Sequence, residues 1–214
     1  MSLTHQVKFL RQYLDSPRVV GAVAPSSQFL AAALAGPFAG RERPANVLEV
    51  GAGTGAVTRV LGKLLGPEDR LDVCEIESNL ADILEADVLS IGPIASARRQ
   101  GRVRLIRGAV QDIEAKPTYD YVVACLPFTV FELADVEHIL EVIRQAMRPG
   151  GVFSYFEYFA MRPLARTFYM GSARRRFRSV SAFMDGMIRK YQFDKRLVRR
   201  NIPPAVVRHL RFAG

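Results

Sequence analysis

Apolar positions along this chain alternate between two rhythms. Val47 to Val50 and Arg70 to Ile76 read as strands, and between them Val57, Val60, Leu61, Leu64 and Leu65 recur at helical spacing. The alternation continues. A helix is expected from Ser78, its cap, to Ser90, with Leu80, Ile83, Leu84 and Val88 inward; a loop carrying Arg98 and Arg99 follows over 91–101. Val103 to Ile106 and Tyr119 to Cys125 are the third and fourth strands, and a helix follows from Val136 to Met147. Arg148-Pro149-Gly150-Gly151 stops that helix and turns the chain into a fifth strand, Val152 to Tyr158. Residues 162–189 read as helical, and two last strands, 192–200 and 205–212, meet at Asn201-Ile202-Pro203-Pro204 as a closing antiparallel hairpin. The pattern is α/β, a doubly wound sheet in a single domain over 1–214, with ligand expected at the strands' C-terminal ends.

Two segments lie ahead of the first strand. Leu3, Val7, Leu10 and Leu14 form an apolar stripe, widened by Phe9 and Tyr13 and flanked by Lys8 and Arg11. It is either a helix packed on the body or an amphipathic helix lying in a lipid interface. A second helix, Gln28 to Ala35, takes Ser26 or Ser27 as its cap and ends at Gly36-Pro37. Residues 1–36 are thus expected as a helical membrane or lid segment on a catalytic core over 46–214.

Charge changes this picture. From Met161 onward, 14 Lys and Arg face only Asp185 and Asp194, a net +12, whereas residues 1–160 set 16 against 19 for a net −3. The basic stretch 162–189 places Arg174, Arg175, Arg176 and Arg178 beside Phe168, Tyr169 and Phe177. Such asymmetry predicts an anionic partner, a membrane surface or nucleic acid. No apolar run reaches the roughly 20 residues of a membrane span. Met1 to His5 lack a basic-then-apolar signal, so a cytoplasmic location is expected. Cys74 and Cys125 fall inside expected strands as buried free thiols, and the three histidines form no metal cluster.

The chemistry gathers at Gly51-Ala52-Gly53-Thr54-Gly55, between the first strand and its helix. Glycines there let backbone approach a ligand where a Cβ would clash. The spacing is Gly-x-Gly-x-Gly rather than Gly-x-Gly-x-x-Gly, which points away from NAD towards another adenosine-bearing cofactor. Glu75, at the end of the second strand, is placed to accept hydrogen bonds from a ribose diol.

Together, the Gly-x-Gly-x-Gly turn, Glu75, Pro149-Gly150-Gly151 and the final hairpin resemble a class I S-adenosylmethionine-dependent methyltransferase. The resemblance implies a Rossmann-like seven-stranded sheet and S-adenosylmethionine as cofactor. Gly51, Gly53, Thr54 and Gly55 would meet its methionine part, with Glu49 nearby; Glu75 would hold the ribose and Ile76 the adenine. Gly108-Ala109-Val110 stands where the family usually has Gly-Asp-Ala, so backbone amides or Gln111 would replace a side-chain contact to the adenine amine.

Cys125-Leu126-Pro127-Phe128 resembles the Asn-Pro-Pro-Tyr and Asn-Leu-Pro-Tyr motifs of amine methyltransferases. In that role the Cys125 and Leu126 carbonyls would orient the amine, Cys125 also bordering the cofactor, and Phe128 would favour developing positive charge. Tyr155, Glu157 and Tyr158 are the candidates for steering the proton that must leave. Residues 17–27 and Asn201 to Val207 are similar to the bacterial phospholipid N-methyltransferases, which carry phosphatidylethanolamine towards phosphatidylcholine; ornithine-lipid N-methyltransferases look similar. That likeness implies Ser26 and Ser27 near the cofactor's amino-acid end. It also implies a lipid amine substrate, with peripheral attachment to an anionic cytoplasmic membrane face through the N-terminal helix and the basic C-terminal region. RNA adenine N-methyltransferases share these motifs, and nucleic acid ranks second as a partner because no separate C-terminal helical domain follows.

Overall fold

The computed structural model describes residues 27–114, 116–159 and 170–212. The expected helix over 2–15, Ser26 and the start of the 162–189 stretch fall outside them. Strands β1 (Asn46–Val50), β2 (Arg70–Glu75), β3 (Val103–Arg107), β4 (Tyr119–Ala124), β5 (Met147–Tyr158), β6 (Gln192–Val198) and β7 (Ala205–Arg211) form one sheet in the order β3-β2-β1-β4-β5-β7-β6. The first five are parallel. β7 runs antiparallel between β5 and β6, Ala205 opposite both Tyr158 and Val198. The doubly wound α/β sheet with a C-terminal hairpin is therefore as expected.

Both sheet faces are covered, which is why the strands read as nearly continuous apolar runs. On one face lie α1 (Gln28–Leu34), α2 (Gly36–Ala39), α3 (Ala56–Leu64), α4 (Ser78–Leu84) and α5 (Gly92–Arg99). Leu30, Leu34, Phe38, Leu61, Leu84 and Ile94 pack there on Val47, Val73, Val123 and Val207. The other face carries α6 (Leu133–Ala146) and α7 (Gly171–Tyr191), whose Val136, Ile143, Val180 and Met184 meet Leu48, Val122, Phe153 and Tyr155. Burying side chains of this size contributes about 1.5–3 kcal/mol each. Among the described residues no helix is long and apolar enough to cross a membrane.

Several local expectations change. Gly36-Pro37 does not end the N-terminal helix but starts α2, because proline fits a first helical turn that needs no amide. Glu77, not Ser78, occupies the cap position of α4, and that helix gives way at Glu85 to a π-helical turn, Glu85–Leu89. Ile83 faces solvent at 42% exposure instead of packing inward. The expected loop over 91–101 is largely α5, which buries Ile94, Ala95 and Ala97. Cys125 stands one residue beyond β4, in the turn that follows.

Candidate active site

β1 and β4 are neighbours, yet the chain leaves them in opposite directions across the sheet, opening a crevice at their C-terminal ends. The glycine turn sits on this point. Gly51 N–H donates to the Cys74 carbonyl at 2.9 Å, tying the turn to β2. Gly51 has φ +74°, and a Cβ there would lie 2.6 Å from Leu126 Cδ2. Gly55, at φ +85°, would meet Leu84 Cδ1 and Val88 Cγ2 at the same distance. The turn is thus held between the exit of β4 and the π-helical turn, and only glycine fits both points.

Beside it lies an apolar cleft of about 430 Å³ lined by Val50, Gly51, Cys74, Ile76, Gly108, Ala109, Val110, Gln111, Leu126, Phe131 and Ile139. Its floor is backbone and its walls are aliphatic, which suits a planar heterocycle. Glu75 is close to this wall and buried; its carboxylate accepts Gly53 N–H at 2.7 Å and Glu77 N–H at 2.9 Å. Burial raises its pKa, while those amide bonds pull it back. The Ala109 N–H donates to Asp112 Oδ2 at 3.3 Å, so Asp112 closes the turn that the Gly-Ala-Val departure left without an aspartate of its own. Ile76, Ala109, Val110 and Gln111, expected around an adenine, all line the cleft. Phe131 and Ile139 line it too and were not foreseen; Phe131 shares a short loop with Phe128, which was the available signal.

Glu49 points to the α3 face and is fully buried. Burial pushes its carboxyl up to about 8 against the lowering effect of Thr58, and nearby Glu75 adds to the rise. The same lack of solvent holds the Cys125 thiol well above its ordinary value, with Glu49 and Glu75 adding to it. A thiol so placed is neither nucleophile nor base at neutral pH.

On the reaction side, Cys125 N–H donates to the Val50 carbonyl at 2.8 Å, and the Leu126 carbonyl accepts Phe128 N–H at 3.0 Å. Phe128 does not face the crevice. It is 4% exposed and packs edge-on against Phe153 and Tyr155, holding the turn from behind. The β-strand alternation splits the three proton-steering candidates. Tyr155 and Glu157 fall on the α7 face, with Glu157 paired to Arg208 at 3.1 Å. Tyr158 falls on the other face, packs on Phe156 and is close enough to Cys125 to be affected by it. Ser27 stands at the C-terminal end of the sheet, where its N–H donates to Asn201 Oδ1 at 3.0 Å.

The same end carries exposed apolar side chains. Phe159 is 62%, Met170 83% and Ile202 81% exposed. Arg174, Arg175, Arg178, Arg199 and Arg200 are exposed around them, and Arg176 ties α7 to Glu132 at 3.2 Å.

Residues 48–153 match the family model described as a methyltransferase domain. The tRNA1(Val) (adenine(37)-N6)-methyltransferase of Pedobacter heparinus is 30% identical over 111 residues, 52% of this chain and 44% of that protein. The match therefore spans less than half the length of that relative. The ornithine lipid N-methyltransferase of Singulisphaera acidiphila is 26% identical over 146 residues, 68% of this chain and 74% of that protein. Among solved structures, the Burkholderia thailandensis 1,6-didemethyltoxoflavin-N1-methyltransferase with bound 1,6-didemethyltoxoflavin and S-adenosylhomocysteine is 18% identical. It has a TM-score of 0.61 over 100% of this chain and 92% of that one.

Proposed function

We propose, for a chain with the class I S-adenosylmethionine-dependent methyltransferase fold, that it methylates the amine headgroup of a membrane phospholipid, phosphatidylethanolamine towards phosphatidylcholine. Its cofactor, S-adenosylmethionine, supplies an electrophilic methyl group on a sulfonium centre. The aliphatic cleft fits the adenine: Ile76, Ala109, Val110 and Gln111 hold it, and Glu75 takes the ribose. Gly51, Gly53, Thr54 and Gly55 pass beneath the methionine part, with Glu49 below and Ser27 at its amino-acid end. The Cys125 and Leu126 carbonyls accept the acceptor's N–H bonds and aim its lone pair, a positioning effect. Tyr158, beside Cys125, is the candidate for guiding the departing proton.

The observation that carries the acceptor is the rim. Phe159, Met170 and Ile202 stand exposed among five arginines at the end of the sheet where the site opens. Each arginine near an anionic leaflet contributes roughly 1 kcal/mol, and each buried apolar side chain roughly 1.5–3 kcal/mol. Together they suffice for reversible attachment to the cytoplasmic face without a span. Similarity to an ornithine lipid N-methyltransferase supports an amine lipid and keeps ornithine lipid as the nearest alternative acceptor. Similarity to a tRNA adenine methyltransferase favours RNA as the second reading, since the same arginines suit phosphates.

One assay separates them. The protein is incubated with radiolabelled S-adenosylmethionine and, in parallel, phosphatidylethanolamine vesicles, ornithine-lipid vesicles and transfer RNA. Label in phosphatidylethanolamine is expected; label confined to ornithine lipid or to RNA replaces the acceptor accordingly.

A further inference from the structure

Asn201 is the buried exception in an exposed turn. Arg199, Arg200 and Ile202 around it are open to solvent, yet Asn201 is 4% exposed. Both ends of its amide are used. Nδ2 donates to the Pro203 carbonyl at 2.8 Å, which closes the turn locally. Oδ1 accepts the Ser27 N–H at 3.0 Å, from a residue 174 positions away. Ser27 in turn accepts Leu30 N–H through Oγ at 3.2 Å, so the start of α1 is fixed by the same junction. The junction lies at the site's end of the sheet: Ala205 pairs with Tyr158, and Phe159 N–H donates to the Pro204 carbonyl at 2.8 Å. A local turn needs only the Pro203 bond. The Ser27 bond fixes where the preceding chain leaves the fold.

We propose that Asn201 is a positioning residue for the acceptor: through Ser27 it sets the departure point of residues 1–26 at the mouth of the site. A segment tethered there is held at high effective concentration over the mouth. Its loss lowers the chance of acceptor capture and leaves the cofactor cleft, built from β1, β2, β3 and β4, untouched. This inference rests on the lipid-amine reading for its kinetic test, but not for its structural one.

The test compares Asn201→Ala with Asn201→Asp, which keeps an acceptor for Ser27 N–H and loses the donor to Pro203. With phosphatidylethanolamine vesicles, Asn201→Ala is expected to raise the acceptor KM about tenfold, the scale of one lost hydrogen bond. Its kcat and its S-adenosylmethionine Kd should stay within about twofold of the native protein. Asn201→Asp should restore the native KM. Hydrogen exchange at the Ser27 amide should accelerate in the alanine variant alone. A native KM in Asn201→Ala, or a cofactor Kd that rises in step with KM, overturns the proposal; so does an unchanged Ser27 exchange rate. If phosphatidylethanolamine is not methylated even by the native protein, the acceptor reading fails by itself and Ser27 exchange still decides the role of Asn201. Should Asn201→Ala not fold, Asn201→Ser, too short to reach Ser27, takes its place with the same expected and overturning results.

Discussion

At Glu75 the two carboxylate oxygens are each met by a backbone amide, Gly53 and Glu77, so the glycine turn and the ribose position share one anchor. Hydrogen bonds to a charged group are worth about 1.5–3 kcal/mol, so Glu75→Ala should weaken S-adenosylmethionine binding about 10- to 100-fold by calorimetry. An unchanged Kd would remove Glu75 from the cofactor site. Gly51 tests the turn's geometry separately. Gly51→Ala places a Cβ in a left-handed conformation, costing about 1–2 kcal/mol, and also against Leu126. Adding Leu126→Ala should relieve the collision but not the backbone strain, so cofactor affinity should recover only in part. Full recovery would show that the collision is the whole effect. Glu75 and Gly51 were legible because strand-end carboxylates and positive-φ glycines leave sequence signatures. Phe128 was misplaced because a proline turn fixes where a backbone goes, not which of Phe128 and Phe131 turns towards the crevice.

Among the elements, α7 brings the basic stretch to the mouth of the site. Replacing Arg174, Arg175 and Arg178 together with Ser removes three charges, about 3 kcal/mol of attraction to an anionic leaflet. Sedimentation with anionic vesicles should therefore weaken about a hundredfold, and high salt should mimic much of the change. The cofactor Kd should not move; vesicle binding indifferent to these arginines would sink the rim as a docking surface. The strands were legible because both faces are covered and their apolar runs are short and bounded. α5 was not, since Gly92-Pro93 reads as a breaker and Arg98 and Arg99 as loop, although proline opens a helix as readily as it ends one. The π-helical turn after α4 was hidden as well. Its packing of Leu84 and Val88 onto Gly55 depends on a neighbour 29 residues upstream of Leu84, which helical periodicity does not reveal.

For the whole molecule, two buried groups set opposing slopes of stability with pH. His209 is fully buried with Nδ1 2.8 Å from Ser154 Oγ, and burial lowers its pKa to about 4. The unfolded chain takes up that proton below about 6.5 while the fold does not. Stability is therefore lost as pH falls from about 6.5 to about 4, by about 3 kcal/mol at most. Glu49 acts the other way: held protonated up to about 8, it loses stability as pH rises from the ordinary carboxylate range through 8. Glu49→Gln should abolish the decline between pH 6.5 and 8 in urea midpoints and leave the acid limb unchanged; parallel curves in both proteins would refute this. Neither residue's environment was legible, because burial of a lone polar side chain depends on which helices cover its strand.

The placement of β7 between β5 and β6 also bears on how the chain is made. On a ribosome, β1 to β5 emerge first, and β5 keeps an unpaired edge until residues 205–211 follow. The last strand synthesised is not the last in the sheet; it must slot in against β5 and carry β6 outside it. Ser27, among the first described residues to appear, waits for Asn201. The mouth of the site therefore closes only after nearly the whole chain has left the tunnel, and until then β5 is the edge a chaperone has most reason to shield.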